Sequence, residues 1–320
     1  MKKKILIIGS NFALNYHLKI IYEIYKNSEV HIVSPNIYKK KINNKIIKHV
    51  DFKKVLNKYT FNFILCCATP NVQTNFIKYI FSNKIKIKNI LLEKPVSLNL
   101  RILNEFLKYS KKNKINLAFN FTYSNLKIIN RIKKITVNNS KEYELSFSLN
   151  FMHPFFLKKN KSWKNFISNG GGIINYYLNH ILFSLIKIFG ELKIKSLKII
   201  SNKKNQLIKL KLNLLNKKIN INMNINMFSK LNIHKYELYH KKDKKIFLTK
   251  KKNWYLEYEY YDNKKKYLYK ENIINLIKLN YTYLKKKKFI NSKYLNEIYL
   301  NEELCHKLNK KLKNYDFKKM

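Results

Sequence analysis

Five short apolar runs lie within the first 121 residues, separated by helical text, and that order restricts the fold more than any other feature. "KILII" (4–8) stops at Gly9, and Leu14, Leu18, Ile21, Tyr22 and Tyr25 follow at helical spacing. "VHIVS" (30–34) stops at Pro35, "FNFILCCAT" (61–69) at Pro70, "KNILLEKP" (88–95) closes on Pro95, and "INLAFNF" (115–121) comes last. Between them 51–59, 71–83 and 99–113 read as helices. The runs are apolar without strict alternation, as strands buried on both faces are. Strand–helix alternation of this kind predicts a doubly wound parallel sheet, a Rossmann-type α/β domain over residues 1–120.

After about residue 121 the text alternates. "EYELSFSLNF" (142–151), "LKIKSLKII" (192–200), "QLIKLKLNLL" (206–215) and residues 218–228 all have period two, the mark of a sheet with one wet face. A helix is read at 172–189, and closing helices at 271–285 and 294–315. Residues 121–320 are therefore expected to form a second α/β domain with a large open mixed or antiparallel sheet. The last helical region is expected to return to the first domain or to cap the sheet.

Net charge is +49, from 67 Lys+Arg against 18 Asp+Glu. Such a balance attracts polyanions. Yet only Arg101 and Arg131 are arginine, and nucleic-acid readers favour arginine for its fork and its stacking. The enriched residues (Lys, Asn, Ile, Tyr, Phe) and the scarce ones (Gly, Ala, Pro, Arg) divide as A/T-rich and G/C-rich codons do. Lysine is then a general surface residue, and no specific nucleic-acid partner is expected. Cys66, Cys67 and Cys305 form no disulfide framework; they read as buried free thiols of a cytoplasmic protein. No run approaches the ~20 apolar residues of a membrane span.

Because glycine and proline are scarce, the five glycines and four prolines mark places where backbone geometry is demanded. Gly9-Ser10-Asn11-Phe12-Ala13-Leu14 follows the first strand where a dinucleotide-binding turn reads G-x-G-x-x-G. Only its first glycine stands. Asn11 is the substitute expected to tolerate positive φ, and Leu14 replaces the close-packing glycine. The second strand ends at Ser34, with Lys39, Lys40 and Lys41 nearby, and not at the acidic residue that holds an adenosine ribose. A hydroxyl and cations suit a 2′-phosphate, a slight lean to NADP over NAD. Ala68-Thr69-Pro70-Asn71 and Glu93-Lys94-Pro95 follow two further strands, on the edge where open α/β sheets bind ligands.

Those segments, with "SWKNFISNGGGIINYYLNHILFSLIKIFG" (162–190), resemble the Gfo/Idh/MocA oxidoreductases, the glucose–fructose oxidoreductase and inositol dehydrogenase family. Trp163, Lys164, Gly170–Gly172, His180 and Gly190 fall in register with that pattern. The resemblance implies an NAD(P)-dependent enzyme moving hydride at a carbinol or keto carbon of a carbohydrate or nucleotide-linked sugar. It implies cofactor contacts from Gly9, Ser10, Asn11, Phe12, Ser34, Ala68, Thr69, Pro70, Asn71, Glu93, Lys94 and Pro95. Substrate contacts would come from Trp163, Lys164, Gly171, Gly172, Asn175 and Asn179, with the triple glycine letting the backbone run close to the ligand. His180 would take the hydroxyl proton, Lys94 would polarise the same oxygen, and no metal is implied. Tyr176 stands where the family has an acid, one turn before His180, and its hydroxyl is expected to reach substrate or His180. That departure and the missing glycines leave a second reading open, a relative that binds nucleotide or sugar without turnover. A homodimer through the second domain's sheet is the expected assembly.

Overall fold

The structure is a computed structural model that describes residues 2–137, 143–152, 163–201, 207–217, 219–240, 243–249, 256–262, 265–286 and 291–313. Pro154, one of the marked prolines, lies outside them. The chain divides into two compact units, Met1–Phe121 with Ile274–Glu302 and Thr122–Ile273 with Glu303–Met320. Relative to the expected 121–320 domain, Ile274–Glu302 thus groups with the first unit.

The first unit runs β1 (Lys4–Ile8), α1 (Leu18–Ile24), β2 (Glu29–Val33), β3 (Ile47–His49), α2 (Phe52–Lys58), β4 (Phe63–Cys66), α3 (Pro70–Ser82), β5 (Asn89–Leu92), α4 (Leu100–Lys112) and β6 (Asn116–Phe119). Its six strands lie in the order β3-β2-β1-β4-β5-β6, every pairing parallel. Chain direction across the sheet reverses beside β1, which makes a topological switch point. The strands are buried because helices cover both faces; Phe63–Cys66 is buried throughout. Helix starts are chemically marked. Asp51 accepts from the Lys53 N–H at 2.8 Å, Asn99 accepts from the Ile102 N–H at 3.1 Å, and Pro70 opens α3, where a missing N–H costs nothing. Leu103, Phe106, Leu107 and Ser110 form the buried stripe of α4 at helical spacing. The three-residue β3, "IKH", has no apolar run and was not foreseen.

In the second unit α5 (Lys127–Val137) precedes β7 (Tyr143–Met152), and a π-helical turn at Ile173–Leu178 leads into α6 (Asn179–Phe189). Then come β8 (Lys193–Ser201), β9 (Leu207–Leu215), β10 (Ile219–Asn226), β11 (Phe228–His240), β12 (Asp243–Thr249), β13 (Glu257–Asp262) and β14 (Lys265–Lys270). The eight strands lie in the order β14-β13-β12-β11-β7-β10-β9-β8, antiparallel except for the β10–β7 pair. In β10 the buried residues are Ile219, Ile221, Met223 and Ile225, with asparagines between them, as period-two text demands. The chain closes with α7 (Ile273–Lys285) and α8 (Ser292–Leu312). Among the described residues no helix is long and apolar enough to cross a membrane.

Candidate functional site

The parallel register fixes the first cluster. Val33, Ile8, Cys66, Leu92 and Phe119 stand level across the sheet. One residue further on, the backbone ladder still holds: Gly9 N donates to Val33 O (2.9 Å), Cys67 N to Ile8 O (2.9 Å), Glu93 N to Cys66 O (3.0 Å) and Asn120 N to Leu92 O (2.8 Å). The carboxyl edge therefore presents the row Ser34, Gly9, Cys67, Glu93, Asn120. Gly9, Ser34 and Glu93 were read from sequence; Cys67 and Asn120 were not.

Gly9 has φ +104°, and a Cβ there would lie 2.6 Å from Cys67 O and 2.9 Å from Ala68 N. Backbone conformation and the β4–α3 loop both exclude a side chain. Ser10, buried, lies with its Oγ 3.1 Å from Ser34 Oγ, which ties the ends of β1 and β2 together. Asn11 is not at positive φ: it starts the helix, exposed, and its Oδ1 accepts from Lys40 Nζ. That corrects the sequence expectation, since the turn completes its reversal at Gly9 alone. Phe12 is 37% exposed and packs on Tyr16 and His17 (4.8 and 5.3 Å between centroids). The helix then opens with a π-helical turn, Ala13–His17, with Leu14 half-buried where the family has glycine. Thr69 and Asn71 are exposed, Ala68 half-buried, and Pro70 buried at the head of α3.

Glu93-Lys94-Pro95 forms the turn after β5, with a cis Lys94–Pro95 peptide. Gln73 of α3, itself buried, clamps it: Nε2 donates to the carbonyls of Glu93 (2.6 Å), Pro95 (2.9 Å) and Val96 (3.1 Å), and Oε1 accepts from Glu93 N (3.0 Å). Val96 N also donates to Glu302 Oε1 of α8 at 3.2 Å. Lys94 is half-buried. Burial pushes the Cys66 thiol up to about 12 and the Cys67 thiol well above its ordinary range. Both are poor thiolate formers.

The second cluster lies in the second unit. Trp163 and Lys164 sit on a short 3-10 turn, and Gly171 is packed against them: a Cβ there would overlap Trp163 O and lie 2.6 Å from Lys164 O. The close approach that demands this glycine is thus to the chain's own backbone. Gly172 follows at φ +76°, with Ile167 beneath it. Tyr176 packs edge-on to Trp163 (6.1 Å) and Tyr177 (4.9 Å), and Lys164 Nζ lies 5.0 Å over its ring. Ile173–Leu178 is π-helical, so Tyr176 stands on the wider turn and His180 on the α-helix that follows it.

His180 is half-buried and carries Tyr123 stacked on its ring, 4.6 Å between centroids at 17°. Tyr123 is one of 24 tyrosines, and no sequence signal singled it out. Asn175 and Asn179, read as substrate contacts, are buried. Asn175 Oδ1 accepts from Asn309 Nδ2 (2.7 Å), and Asn179 Nδ2 reaches Cys305 Sγ at 3.3 Å. Both therefore bond to α8. Lys94 belongs to the first unit and His180 to the second.

No family profile and no curated protein sequence matches the chain. Solved structures do. The MviM dehydrogenase from Clostridium difficile superposes with TM-score 0.74 at 16% identity, covering 97% of this chain and 100% of that one. A mutant of KijD10, a 3-ketoreductase from Actinomadura kijaniata in complex with TDP-benzene and NADP, gives TM-score 0.77 at 9% identity over 97% and 98% of the two chains. A probable oxidoreductase, yhhX, gives 0.67 at 16% over 95% and 96%. Superposition over nearly the full length of each chain shows that this chain has the fold of the Gfo/Idh/MocA-type oxidoreductases.

Proposed function

We propose that this chain is a Gfo/Idh/MocA oxidoreductase that uses NAD(P) and acts on a carbohydrate or nucleotide-linked sugar. The observation that carries the reading is the carboxyl edge of the parallel sheet. Gly9 is held at φ +104° at the switch point, and Lys40 and the Ser10–Ser34 pair stand beside the ends of β1 and β2, which supports an adenosine half bound on that side. The residues present fit such a group. No acidic side chain follows β2, and cations and hydroxyls favour a 2′-phosphate, so the lean is to NADP. KijD10, which has the same fold, is crystallised with NADP and a TDP ligand.

The bound nicotinamide supplies the hydride acceptor, or the donor in reduction. His180 takes the hydroxyl proton of the carbinol, since imidazole titrates near neutrality. Lys94 stabilises the developing alkoxide. Tyr123 holds the imidazole plane by stacking. Tyr176, which replaces an acid, can donate a hydrogen bond but supplies no negative charge at neutral pH. This last point favours the rival reading, binding without turnover.

Absorbance assays with NADPH or NADH and a panel of keto-sugars and nucleotide-linked keto-sugars separate the two. Activity that falls about a hundredfold or more in Lys94→Ala and in His180→Ala, with cofactor affinity kept, supports the enzyme. Full turnover in Lys94→Ala removes the assignment. Dinucleotide binding with no turnover across the panel supports the rival.

A further inference from the structure

Below the row of strand ends runs a polar chain that the proposed function leaves unused. His17, fully buried, closes the π-helical turn after Gly9. Its Nδ1 lies 2.7 Å from Tyr281 Oη and its Nε2 3.2 Å from Glu93 Oε1. Asn120 Nδ2 donates to the same Oε1, and Asn120 Oδ1 accepts from Asn280 Nδ2 at 2.9 Å. Asn280 and Tyr281 are neighbours on α7. Two donor chains therefore start on adjacent residues of one helix and converge on one carboxylate oxygen.

The direction of each bond follows from the chemistry. An ionised carboxylate only accepts, so Nε2 donates to Glu93 while Nδ1 pairs with the Tyr281 hydroxyl. Burial, then Cys67 and Glu93 nearby, hold the Tyr281 hydroxyl well above its ordinary 10.0, so it keeps its proton. With Gln73 on the backbone and these chains on the side chain, the Glu93–Lys94 turn is fixed at both levels. Structural satisfaction of a buried histidine would need one partner on each nitrogen. The Asn280–Asn120 chain satisfies two further buried amides, and it too ends on the carboxylate beside Lys94.

We infer that the Tyr281–His17 and Asn280–Asn120 pairs are positioning residues for the nicotinamide end of the dinucleotide, acting through Glu93 and the turn that carries Lys94. The inference rests on the dinucleotide reading. It follows from topology: the β1–β2 side of a doubly wound sheet takes the adenosine half, and the β4–β5–β6 side, where Glu93 and Asn120 stand, takes the other half.

Titration calorimetry of the full chain with NADPH, and with phospho-ADP-ribose, which is the same molecule without nicotinamide, tests it. The variants are Tyr281→Phe and the double variant His17→Phe with Tyr281→Phe; the second removes the whole His17 arm and leaves Glu93 the Asn120 bond. The double variant is expected to lose about tenfold in NADPH affinity, and the single about threefold. Phospho-ADP-ribose affinity is expected to stay within about twofold in both. Dihydronicotinamide emission from bound NADPH should shift in the same variants. Equal losses for both ligands, or no loss for either, overturn the inference and make the chain structural only. Wild-type protein that binds neither this pair nor NADH with ADP-ribose overturns the dinucleotide reading, and the inference with it; binding of the NADH pair alone moves the same comparison to those ligands. Should the double variant fail to fold, Tyr281→Phe, which removes one hydroxyl, decides by the same comparison.

Discussion

Each unit carries a glycine turn that leads into a π-helical turn, at Ala13–His17 in the first and Ile173–Leu178 in the second. The two glycines solve different problems. Gly9 sits at positive φ, packed against the β4–α3 loop, and side-chain hydrogen bonds brace it: Ser10 to Ser34, Lys40 to Asn11. Gly171 lies pressed onto the backbone of Trp163 and Lys164, and rings brace its surroundings: Trp163 on Tyr176, Tyr123 on His180. In both places the protein's own packing already excludes a side chain.

The largest expected effect separates these cases. Gly171→Ala drives a methyl into main-chain carbonyls that cannot rotate away, and should cost about 3 kcal/mol or more. Gly9→Ala meets main chain less closely but adds φ strain, and should cost about 2 to 3 kcal/mol. Both tryptophans, Trp163 and Trp254, belong to the second unit's span. Native tryptophan emission should therefore change in Gly171→Ala and stay constant in Gly9→Ala, while urea midpoints fall in both. The reverse order of midpoints would break the comparison.

What sequence reading could reach follows from how each unit is built. The first unit's strands are unbroken apolar text closed by Gly or Pro, so period and punctuation agree, and β1, β2, β4, β5 and β6 were visible. Strands β11 to β14 were not. Their text, such as "EYEYYD" and "KKYLYK", alternates tyrosine with charge, and tyrosine counts as neither clearly wet nor clearly dry. Burial resolves it: Tyr236, Tyr258 and Tyr260 are core residues beside Phe247. At the site, residues next to marked glycines and prolines were legible. His17, Asn120, Asn280 and Tyr281 were not, because the last two come from a helix 160 or more residues further along the chain.

Smaller effects sharpen the contrast between rings and hydrogen bonds. Tyr123→Leu keeps apolar bulk but removes the stack on His180, and should cost about 1 kcal/mol in the denaturation midpoint. Ser34→Ala removes one part-buried hydroxyl pair and should cost about 0.5 to 1 kcal/mol. Adding NADPH should widen the Ser34→Ala deficit if that hydroxyl also faces the cofactor, and a deficit unchanged by ligand would confine Ser34 to bracing.

The smallest expected effect is a pH response that belongs to the first unit. At the outer edge of its sheet His31 Nδ1 lies 2.9 Å from His49 Nε2, and His31 Nε2 lies 2.8 Å from Glu29 Oε1. Burial, then the neighbouring His31 and Lys58, hold the His49 imidazole below its ordinary 6.5. The sign follows from linkage: the unfolded chain takes up a proton on His49 at higher pH than the folded one does. The stabilisation is therefore complete above 6.5 and declines as pH falls through the lowered value. Glu29, whose carboxyl is held below its ordinary 4.5 chiefly by the His31 hydrogen bond, would respond only in a more acid range. Urea midpoints measured between pH 7 and about pH 5 should fall in the wild type and fall less steeply in His49→Gln. Tryptophan emission reports the second unit, so the transition should be followed by far-ultraviolet circular dichroism as well. An identical slope in His49→Gln would show that the acid sensitivity of the chain arises elsewhere.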